Sequence, residues 1–599
     1  MSVFFAHHAL NEKSTPLNFK HSDWETAAVQ HKSCLLINQA HPPEKIASYI
    51  ISFYGQPVWL DPELHQINKQ KGLSKSLVQA YKKSGTAFLN KLTGGFVIII
   101  HEIDANKTFI AVDKMGIGRL TYQNKNGLSL SNSIKTLRQL SNESLNIDQQ
   151  AIFNYVYFHM IPSPGSFFDG IHKLEPAHFL EYSNGKITKQ KYWEPTFLEE
   201  SELNTKQLSE KLHVHLKTAV ERSLSGKNTT GAFLSGGLDS STVSGTLSSF
   251  QPNPNTFTIG FDAEGYDETP YARIASKHFH TKHHEYFVTP QDVLNAVPRI
   301  AAAYDEPFGN SSAIPTYFCA KLAKENGCHT LLAGDGGDEL FAGNERYAKQ
   351  KLFETYNNAP SYIRTLANAP YNLLPSLKNK KLFSKGHSFL LQAATSLPHR
   401  MENYNFLHQI SPSVIFNTNL LNAIDTEQPI DHLSEYYNSP QGASSLNRMH
   451  YMDWKRTLAD NDLRKVSHMC DLVGVNVKYP FLDSELVDFS CSIPSSVKLK
   501  GLKLRHFYKQ AMKGFLPNDV LTKSKHGFGL PFGVWMKTNK DLQALAYDNI
   551  NALKNRHFFN DFFLDDAIDQ HRSGHASYYG ELIWVLMMLE LWLQSYQNQ

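Results

Sequence analysis

The fold of this 599-residue chain is decided by residues 233 to 243, FLSGGLDSSTV. The residues that lead into it, TTGAFL, are apolar and β-branched as in a buried strand, and SSTVSGTLSSF after the aspartate favours the start of a helix. A loop between a strand end and a helix N-terminus gathers backbone N–H groups and the positive helix end, which suits phosphate. An ordinary strand-to-helix turn uses glycine in the same way. The rest of the chain therefore has to decide between a phosphate loop and a plain turn.

Composition places the chain among globular proteins with two or more domains. It has 599 residues, of which 41% are hydrophobic and 19% charged, and a net charge of +3 argues against a dedicated nucleic-acid binder. Five cysteines lie far apart with no CxxC pair, which is typical of a reduced, cytoplasmic protein. No basic segment precedes a long apolar run, and no stretch is long enough to cross a bilayer. We expect neither secretion nor a membrane partner.

The character of the chain changes near residue 200. Before about residue 195, short strand-like runs such as LTGGFVIIIHEID predict a β-rich layered domain. A charged, helix-prone stretch follows at residues 198 to 224, and from there strands such as NTFTIGF alternate with helical patterns, as a parallel sheet with crossover helices requires. Beyond about residue 345 the pattern is mostly helical. We predict one domain over residues 1–200 and a second over residues 201–599.

A second glycine-rich turn follows a predicted strand at residues 331 to 347, LLAGDGGDELFAGNERY. It carries Asp335, Asp338 and Glu339. Ligands of parallel sheets bind at strand ends, so Asp239 from the first loop and Asp338 from this turn are expected to face each other across one crevice. Two carboxylates there suit magnesium, which prefers oxygen ligands and bridges protein to nucleotide phosphates. The alternative for either segment alone is a solvated acidic turn.

Two further segments add a basic group and a structural element. KSKHGFGLPFGVW at residues 523 to 535 places Lys523 and Lys525 beside a run of glycines, where a lysine can stabilise a transition-state oxyanion or a departing phosphate. Exposed lysines that only face solvent are the alternative. YPFLD at residues 479 to 483 is interpreted as an apolar cluster with a capping aspartate. Glu339, Lys465 and Lys478 are equally compatible with structural ion pairs.

In this combination and order, the segments resemble the asparagine synthetase family. The match runs through most of residues 170 to 540 and includes GIHKLEPAHFL, KYW, SGGLDSS, TFTIGFD, YDETPYARIASKHF, HHE, DEPFGNSSAIPTY, GDGGDELFAG, VKYPFLD and KHGFGLPF. The resemblance implies an α/β protein whose N-terminal domain is an Ntn-hydrolase-like αββα sandwich of the glutamine-hydrolysing type. It implies a C-terminal ATP-pyrophosphatase domain with a parallel sheet and a helical C-terminal portion, which adenylates a carboxylate.

The resemblance also implies roles for individual residues. Asp239 and Asp338 match the family's Mg²⁺-holding acids, and Lys525 matches the lysine that stabilises charge while the acyl-adenylate forms and reacts. Asp335 stands where asparagine synthetases carry glutamate and β-lactam synthetases carry tyrosine, so it is expected to contact the substrate or the amine. The residues implied in ATP binding, around the phosphates and the adenosine, are Leu234, Ser235, Gly236, Gly237, Asp239, Ser240, Ile259 and Gly334.

The N-terminal half departs from the family pattern. Glutamine-hydrolysing members begin Met-Cys, whereas here position 2 is Ser2 and the nearest cysteine, Cys34, is internal. The family's NGEIYN loop has no recognisable match between residues 40 and 80, while the scaffold around Asp113 persists and Ser133 replaces the usual glutamate. A serine nucleophile at Ser2 stays an alternative. The simplest interpretation is a retained glutaminase domain without activity.

These features predict an ATP-dependent, AMP-forming carbon–nitrogen ligase that takes no nitrogen from glutamine. Family members without the cysteine include β-lactam synthetases and lasso peptide cyclases, and a lasso-type macrolactam cyclase is the leading specific hypothesis. Its substrate would be a small-molecule or peptide carboxylate, with a precursor peptide and a leader protease as partners and ATP and Mg²⁺ as cofactors. Two alternatives are an asparagine synthase that uses free ammonia and a catalytically silent binding or scaffold relative.

Overall fold

The structure is a computed structural model, and it describes residues 4–10, 28–31, 33–141, 145–224, 229–366, 381–403, 405–523, 529–574 and 576–597. Within these ranges the N-terminal half is built from two six-stranded antiparallel sheets. The first sheet has the order His172–Lys173, Thr121–Asn124, Gly127–Ser131, Phe4–Ala9, Cys34–Asn38 and Ala28–His31. The second has the order Lys186–Lys191, His178–Ser183, Lys107–Val112, Phe96–Glu102, Tyr49–Gly55 and Glu44–Ile46.

The two sheets pack face to face with helices on both outer sides. The strand Phe96–Glu102 shows why its sequence is an unbroken apolar run: Val97 and Ile99 point into the core between the sheets, while Ile98 and Ile100 point to the outer face. That outer face is covered by the helices Pro62–Lys71, Leu73–Ser84 and the 3-10 helix Gly85–Lys91. The outer face of the first sheet packs against the helices Ile134–Ser141 and Gln149–Phe158. The layers are those of the predicted αββα sandwich.

The second half contains a five-stranded, fully parallel sheet, as predicted. Its order is Lys282–Val288, Asn255–Phe261, Thr230–Phe233, Thr330–Leu332 and Asn476–Lys478. The chain first adds strands on one side of Thr230–Phe233 and then crosses to the other side with Thr330–Leu332. This reversal leaves a crevice at the carboxyl ends of those two strands, where ligands bind in such sheets. The connecting helices are Leu238–Leu247, Thr269–Phe279, Pro290–Ala303 and Ala313–Glu325.

The remaining elements of the second half are helical, as the sequence pattern beyond residue 345 predicts. The helix Thr205–Ser223 enters this half and begins with a capping box between Asn204 and Gln207. A π-helical segment, Trp454–Asp462, lies between the helices Ser445–Asp453 and Leu463–Val473. The other α-helices are Gly337–Leu340, Glu345–Asn357, Lys381–Ala394, Phe406–Gln409, Pro412–Ile415, Thr418–Leu421, Gln428–Asn438, Ser484–Cys491, Ser495–Lys498, His506–Ala511, Asn518–Thr522, Phe532–Trp535, Lys540–Leu553, Asp561–Ser573 and Ala576–Gln597.

The two halves are joined by buried polar contacts as well as by a shared apolar core. Arg119 of the first half donates to Asp471 Oδ2 of the second at 2.8 Å and to His468 Nδ1 at 2.8 Å. Lys173 forms a largely buried ion pair with Glu306 at 2.8 Å. Charged groups that leave water need such partners, so these contacts fix how the halves are oriented. Among the described helices, none is long and apolar enough to span a membrane.

Candidate active site

The first loop folds as a strand-to-helix turn closed by its own hydroxyl groups. The Ser235 amide donates to Ser240 Oγ at 3.2 Å, and the Ser240 hydroxyl lies 3.1 Å from Ser235 Oγ. Gly236 has a φ of +70°, and a β-carbon there would collide with the backbone of Tyr271 and Ala272. The helix Leu238–Leu247 begins at Gly237 with no side-chain cap. Its positive end therefore faces the crevice, as a phosphate loop requires.

The second turn approaches this loop closely because glycines line it. A β-carbon on Gly334 would lie 2.8 Å from the Ser240 amide nitrogen, and one on Gly337 would collide with the Asp239 carboxylate. Gly336 has a φ of +98°. Residue types with larger side chains would force the two strand ends apart, so the glycines of GDGGDE are required by packing. Ile259, predicted to contact adenosine, lies in the adjacent strand Asn255–Phe261, at the same carboxyl-terminal end of the sheet.

Asp239 and Asp338 converge on one cation, the guanidinium of Arg505. Arg505 donates to both oxygens of Asp239 and, through Nε at 3.0 Å and through Nη2, to Asp338 Oδ1. The side chain of Arg505 is 5% exposed, against 17% for Asp239 and 24% for Asp338. The two carboxylates are thus close enough to share a positive charge, which is the arrangement expected of a divalent-cation site at nucleotide phosphates. The described residues contain no cluster of three or more metal-ligating side chains, so phosphate oxygens would have to complete such a site.

Sequence reasoning did not identify Arg505. It lies in LKGLKLRHFYKQ, a stretch with three lysines and a histidine besides, and nothing in its spacing distinguishes it. Arg505 has a φ of +52° and precedes the helix His506–Ala511, where it is held by a hydrogen bond from its backbone N–H to Ala342 O at 3.1 Å. A left-handed conformation is unfavourable for arginine. The hydrogen bonds from Arg505 to Asp239 and Asp338 offset the cost of this conformation.

Asp335 lies on the second turn in a group of ionisable side chains. Burial raises the pKa of Asp335 to about 6, with Lys465 opposing the increase and Asp462 adding to it. Lys465 forms an ion pair with Asp462 at 2.8 Å. Burial, followed by repulsion from Asp338, Asp462 and Asp453, raises the pKa of Glu339 well above its usual range. A carboxyl group that titrates near neutral pH beside a nucleotide crevice is suited to proton transfer.

The three residues interpreted as structural ion pairs do not behave alike. Lys465 has the ion pair described above. Glu339 and Lys478 form none within the described part of the chain, so for them that interpretation is wrong. Asp483 of YPFLD does cap a helix as predicted, accepting from the Glu485 amide at 3.1 Å. Its carboxylate also accepts from Arg222 Nη1 at 3.1 Å.

Two predicted residues lie outside the described ranges: Lys525 in the synthetase half and Ser2 at the start of the chain. Lys523, two residues before Lys525, is described. Its ammonium pairs with Glu268 at 2.9 Å and lies 4.6 Å from the ring centre of Tyr271. Tyr271 in turn packs against Gly236 of the first loop. Lys523 is therefore held close to the phosphate loop.

Asp113 and Ser133 of the first half both have structural roles. Asp113 is buried and accepts hydrogen bonds from four backbone amides, those of Phe96, Met115, Ile117 and Gly118. Ser133 donates to Asp305 Oδ1 at 2.9 Å, and Asp305 also accepts from the Ile134 amide at 3.1 Å. Asp113 thus fixes a turn, and Ser133 joins the two halves.

The fold joins a sandwich of two antiparallel sheets to a parallel sheet whose crevice suits a nucleotide. The chain matches the family model described as asparagine synthase over residues 211–594 and the glutamine amidotransferase domain model over residues 64–193. Because the first match covers more than half of its length, the chain belongs to the asparagine synthase family. It is thus an amide-bond-forming ligase that uses ATP.

Two curated relatives and one solved structure illustrate the similarity. Asparagine synthetase (glutamine-hydrolyzing) 1 of Bacillus subtilis is 24% identical over 86% of this chain and 80% of the relative. Putative asparagine synthetase (glutamine-hydrolyzing) 2 of Methanocaldococcus jannaschii is 31% identical over 49% of this chain and 58% of the relative. A glutamine phosphoribosylpyrophosphate amidotransferase from B. subtilis is 9% identical with a TM-score of 0.22, over 56% of this chain and 75% of that chain.

Proposed function

We propose that this chain joins a carboxylate to an amine through an acyl-adenylate, releasing pyrophosphate and AMP, without hydrolysing glutamine. The observation that carries the proposal is the convergence of Asp239 and Asp338, from two strand ends, on a single cationic group. Both carboxylates lie just beyond the carboxyl ends of the neighbouring parallel strands Thr230–Phe233 and Thr330–Leu332, which is where ligands bind in such sheets. This argues against the silent binding or scaffold alternative.

Magnesium is proposed as the cation that the two carboxylates hold together with ATP. Their oxygens suit this metal, and Arg505 shows that both can contact one positive group at once. When bound, the metal would neutralise charge on the phosphates. The protein's own contribution is to position Asp239 and Asp338 and to present the amides of residues 235 to 237 and the helix N-terminus to the phosphates. Lys525 is proposed to stabilise the developing charge.

The chemistry has two balanced steps. In the first, a carboxylate oxygen of the substrate attacks the α-phosphorus of ATP, the bond to the β-phosphate oxygen breaks, and pyrophosphate leaves. In the second, an amine attacks the acyl carbon, AMP leaves with the bonding electron pair, and the amine loses one proton. Asp335 is proposed to accept that proton, since the pKa of its buried carboxyl group is raised to about 6. The product is an amide.

The cysteines support the loss of glutamine hydrolysis. All five lie in the described ranges, and each is buried and outside any disulfide. Burial raises the pKa of the Cys34 and Cys491 thiols to about 12 and that of Cys328 to about 11, and it also raises the pKa values of Cys319 and Cys470. The thiolate is the nucleophilic form, so none of these residues is suited to attack glutamine. The amidotransferase match begins only at residue 64. Unpaired cysteines also support the proposal of a cytoplasmic location.

The substrate is proposed to be a peptide whose N-terminal amine attacks its own Asp or Glu side chain, as in lasso-type macrolactam formation. A precursor peptide and a leader protease would then be its partners. The retained first half without a reactive thiol and the helical C-terminal portion support this assignment. The second candidate is an asparagine synthase that uses free ammonia. Relatives described as asparagine synthetases favour asparagine as the product, and the absence of a reactive thiol favours ammonia over glutamine as the nitrogen source.

ATP–pyrophosphate exchange on the full-length protein with Mg²⁺ tests the proposal. Aspartate, with or without ammonia or glutamine, and a pool of Asp- or Glu-containing peptides are offered in turn. Exchange with peptides alone supports the macrolactam ligase, whereas asparagine formed from ammonia but not glutamine supports the second candidate. Asp239→Asn is expected to lower exchange by about 100-fold, the usual effect of removing one charge-stabilising group. Absence of exchange with every acid, or asparagine formed from glutamine, would contradict the proposal.

A further inference from the structure

A cavity of about 510 Å³ lies between the two halves of the protein, outside the crevice described above. Its first wall comes from the amidotransferase-like half and includes Tyr54, Gln56 and Arg119, and its second wall includes Lys478 and Tyr479 at the edge of the parallel sheet. This volume lies within the usual range of small-molecule sites, about 300–1,000 Å³. The cavity is therefore large enough for an amino acid or for the end of a peptide.

Within the described ranges, one charged side chain at the cavity, that of Lys478, has no partner, and the arginines there are paired. Arg119 donates to Asp471 at 2.8 Å, and Arg222 pairs with Asp483 at 3.1 Å and with Glu485 at 2.7 Å. Lys478 lines the same cavity, and its ammonium has no hydrogen-bond or ion-pair partner among the residues that the structure describes. A partly buried, unpaired ammonium is costly. An anionic group bound beside it would remove that cost.

The cavity adjoins the nucleotide crevice at the turn that carries Asp335. Lys478 pairs in register with Leu332, two residues before Gly334, so it lies at the same carboxyl-terminal end of the sheet. Leu482, another lining residue, packs against Gly336 of that turn. Tyr479 shares a hydrogen bond of 2.7 Å with Ser467, and burial, followed by the charge of the nearby Asp335, raises its pKa. A ligand in the cavity would thus extend toward the group proposed to accept the amine's proton.

We propose that the cavity binds a carboxylate of the amine substrate through Lys478, so that the nucleophile is an amino acid or a peptide rather than ammonia. This inference rests on the proposed function and deepens it by naming the class of the amine. Arg119 and Arg222 are already neutralised, which leaves Lys478 as the group whose charge selects an anion. The ligand's amine would then be directed toward Asp335 and the acyl-adenylate.

The electrostatic setting of Lys478 is consistent with this role. Burial lowers the pKa of Lys478 to about 8, so the ammonium is still charged at neutral pH. A bound carboxylate favours the charged form and raises the pKa again. Ammonia and simple alkylamines have no carboxylate to pair with Lys478, so the cavity would not bind them selectively.

The test uses amines that differ only in the carboxylate, assayed with full-length protein, ATP and an acid that supports exchange. Glycine is compared with methylamine, β-alanine with propylamine, and a peptide bearing a free C-terminus with its C-terminal amide. In each pair, the amine with a carboxylate is expected to have a KM at least about tenfold lower than its partner, because one charge-assisted hydrogen bond contributes about that factor to binding. Lys478→Met should remove this preference and Lys478→Arg should retain most of it. Lys321→Met, on an exposed helix surface paired with Glu325, is the matched control.

Two readouts separate this inference from the proposed function. Pyrophosphate exchange requires no amine, so exchange by the wild type together with equal KM values for the paired amines would overturn the Lys478 site and leave the ligase proposal intact. Calorimetric titration of the same amines gives an answer even without turnover. Carboxylate-dependent binding that Lys478→Met weakens about tenfold supports the site, and binding that is equal in the two proteins refutes it. Circular dichroism of each variant verifies that it is folded.

Discussion

The guanidinium of Arg505 binds the carboxylate of Asp239 through two parallel hydrogen bonds, from Nη1 to Oδ1 and from Nη2 to Oδ2. This two-point geometry is the strongest that an arginine makes with a carboxylate. It links a residue of the phosphate loop to one found 266 positions later in the chain. Because Asp338 contacts the same guanidinium, Arg505 holds the two sides of the crevice together.

Arg505→Gln is expected to destabilise the protein because it leaves two carboxylates facing each other without a counter-charge. Breaking a buried ion pair costs about 3–5 kcal/mol, and the free energy of unfolding measured with urea should fall by about that amount. Mg²⁺ should then raise the melting temperature of the variant more than that of the wild type, since the ion replaces the lost charge. Arg505→Lys, which keeps a charge, should show a smaller loss. Equal stability of Arg505→Gln and the wild type would contradict this role.

The raised pKa of Asp335 leads us to expect that the rate of amide formation depends on pH. Its pKa is raised to about 6, chiefly by burial, so the proton is lost over roughly pH 5 to 7, and the form that can accept a proton increases with pH. Amide formation should rise across this interval, and Asp335→Asn should abolish the rise while pyrophosphate exchange persists. Protein stability should change in the opposite direction. Because the pKa of Asp335 is higher in the folded than in the unfolded protein, its contribution to the free energy of unfolding should fall as the pH rises from about 4 to 6. A pH profile that is the same in Asp335→Asn would exclude Asp335 as the proton acceptor.

The buried thiols allow a test of whether the amidotransferase-like half can use glutamine. Every thiol is buried and has a raised pKa. A disulfide reagent that fully modifies free cysteine should therefore modify no cysteine of the native protein in the same time. All five should react after unfolding in guanidinium. A glutamine-analogue electrophile should label no cysteine of the native chain. Rapid labelling of Cys34 would show that the amidotransferase-like half opens, and it would reopen the question of glutamine use.

Much of the fold could be predicted because the relevant signals are local. The run FVIII is strand length and apolar on both faces, which is what a strand between two packed layers requires. SGGLDSS and GDGGDE combine glycines with acids in patterns that report the backbone geometry of strand-to-helix turns. The approach of Asp239 to Asp338 followed from the rule that ligands bind at strand ends.

Arg505 and Lys478 could not be identified in this way because their importance depends on contacts between distant segments. One arginine among several basic residues has no local signature until folding brings it to two carboxylates. Lys478 is distinguished by having no described partner in a cavity between two domains, a property that no spacing encodes. The sequence analysis also did not predict the π-helical segment Trp454–Asp462, a kind of segment that is frequent near functional sites.

Lys523 and Lys525 allow an anchor to be distinguished from a charge-stabilising group within three residues of sequence. Lys523 is 6% exposed and pairs with Glu268 at 2.9 Å beside the Tyr271 ring, so Lys523→Met should lower the melting temperature. Lys525→Met should leave the melting temperature unchanged and lower pyrophosphate exchange by about 100-fold or more, because the developing charge loses its partner. Thermal unfolding and exchange are measured on both variants, with Lys525→Arg as the charge-preserving control. The contrary result is that Lys523→Met lowers pyrophosphate exchange without loss of stability while Lys525→Met has no effect. That result would make Lys523, and not Lys525, the charge-stabilising residue.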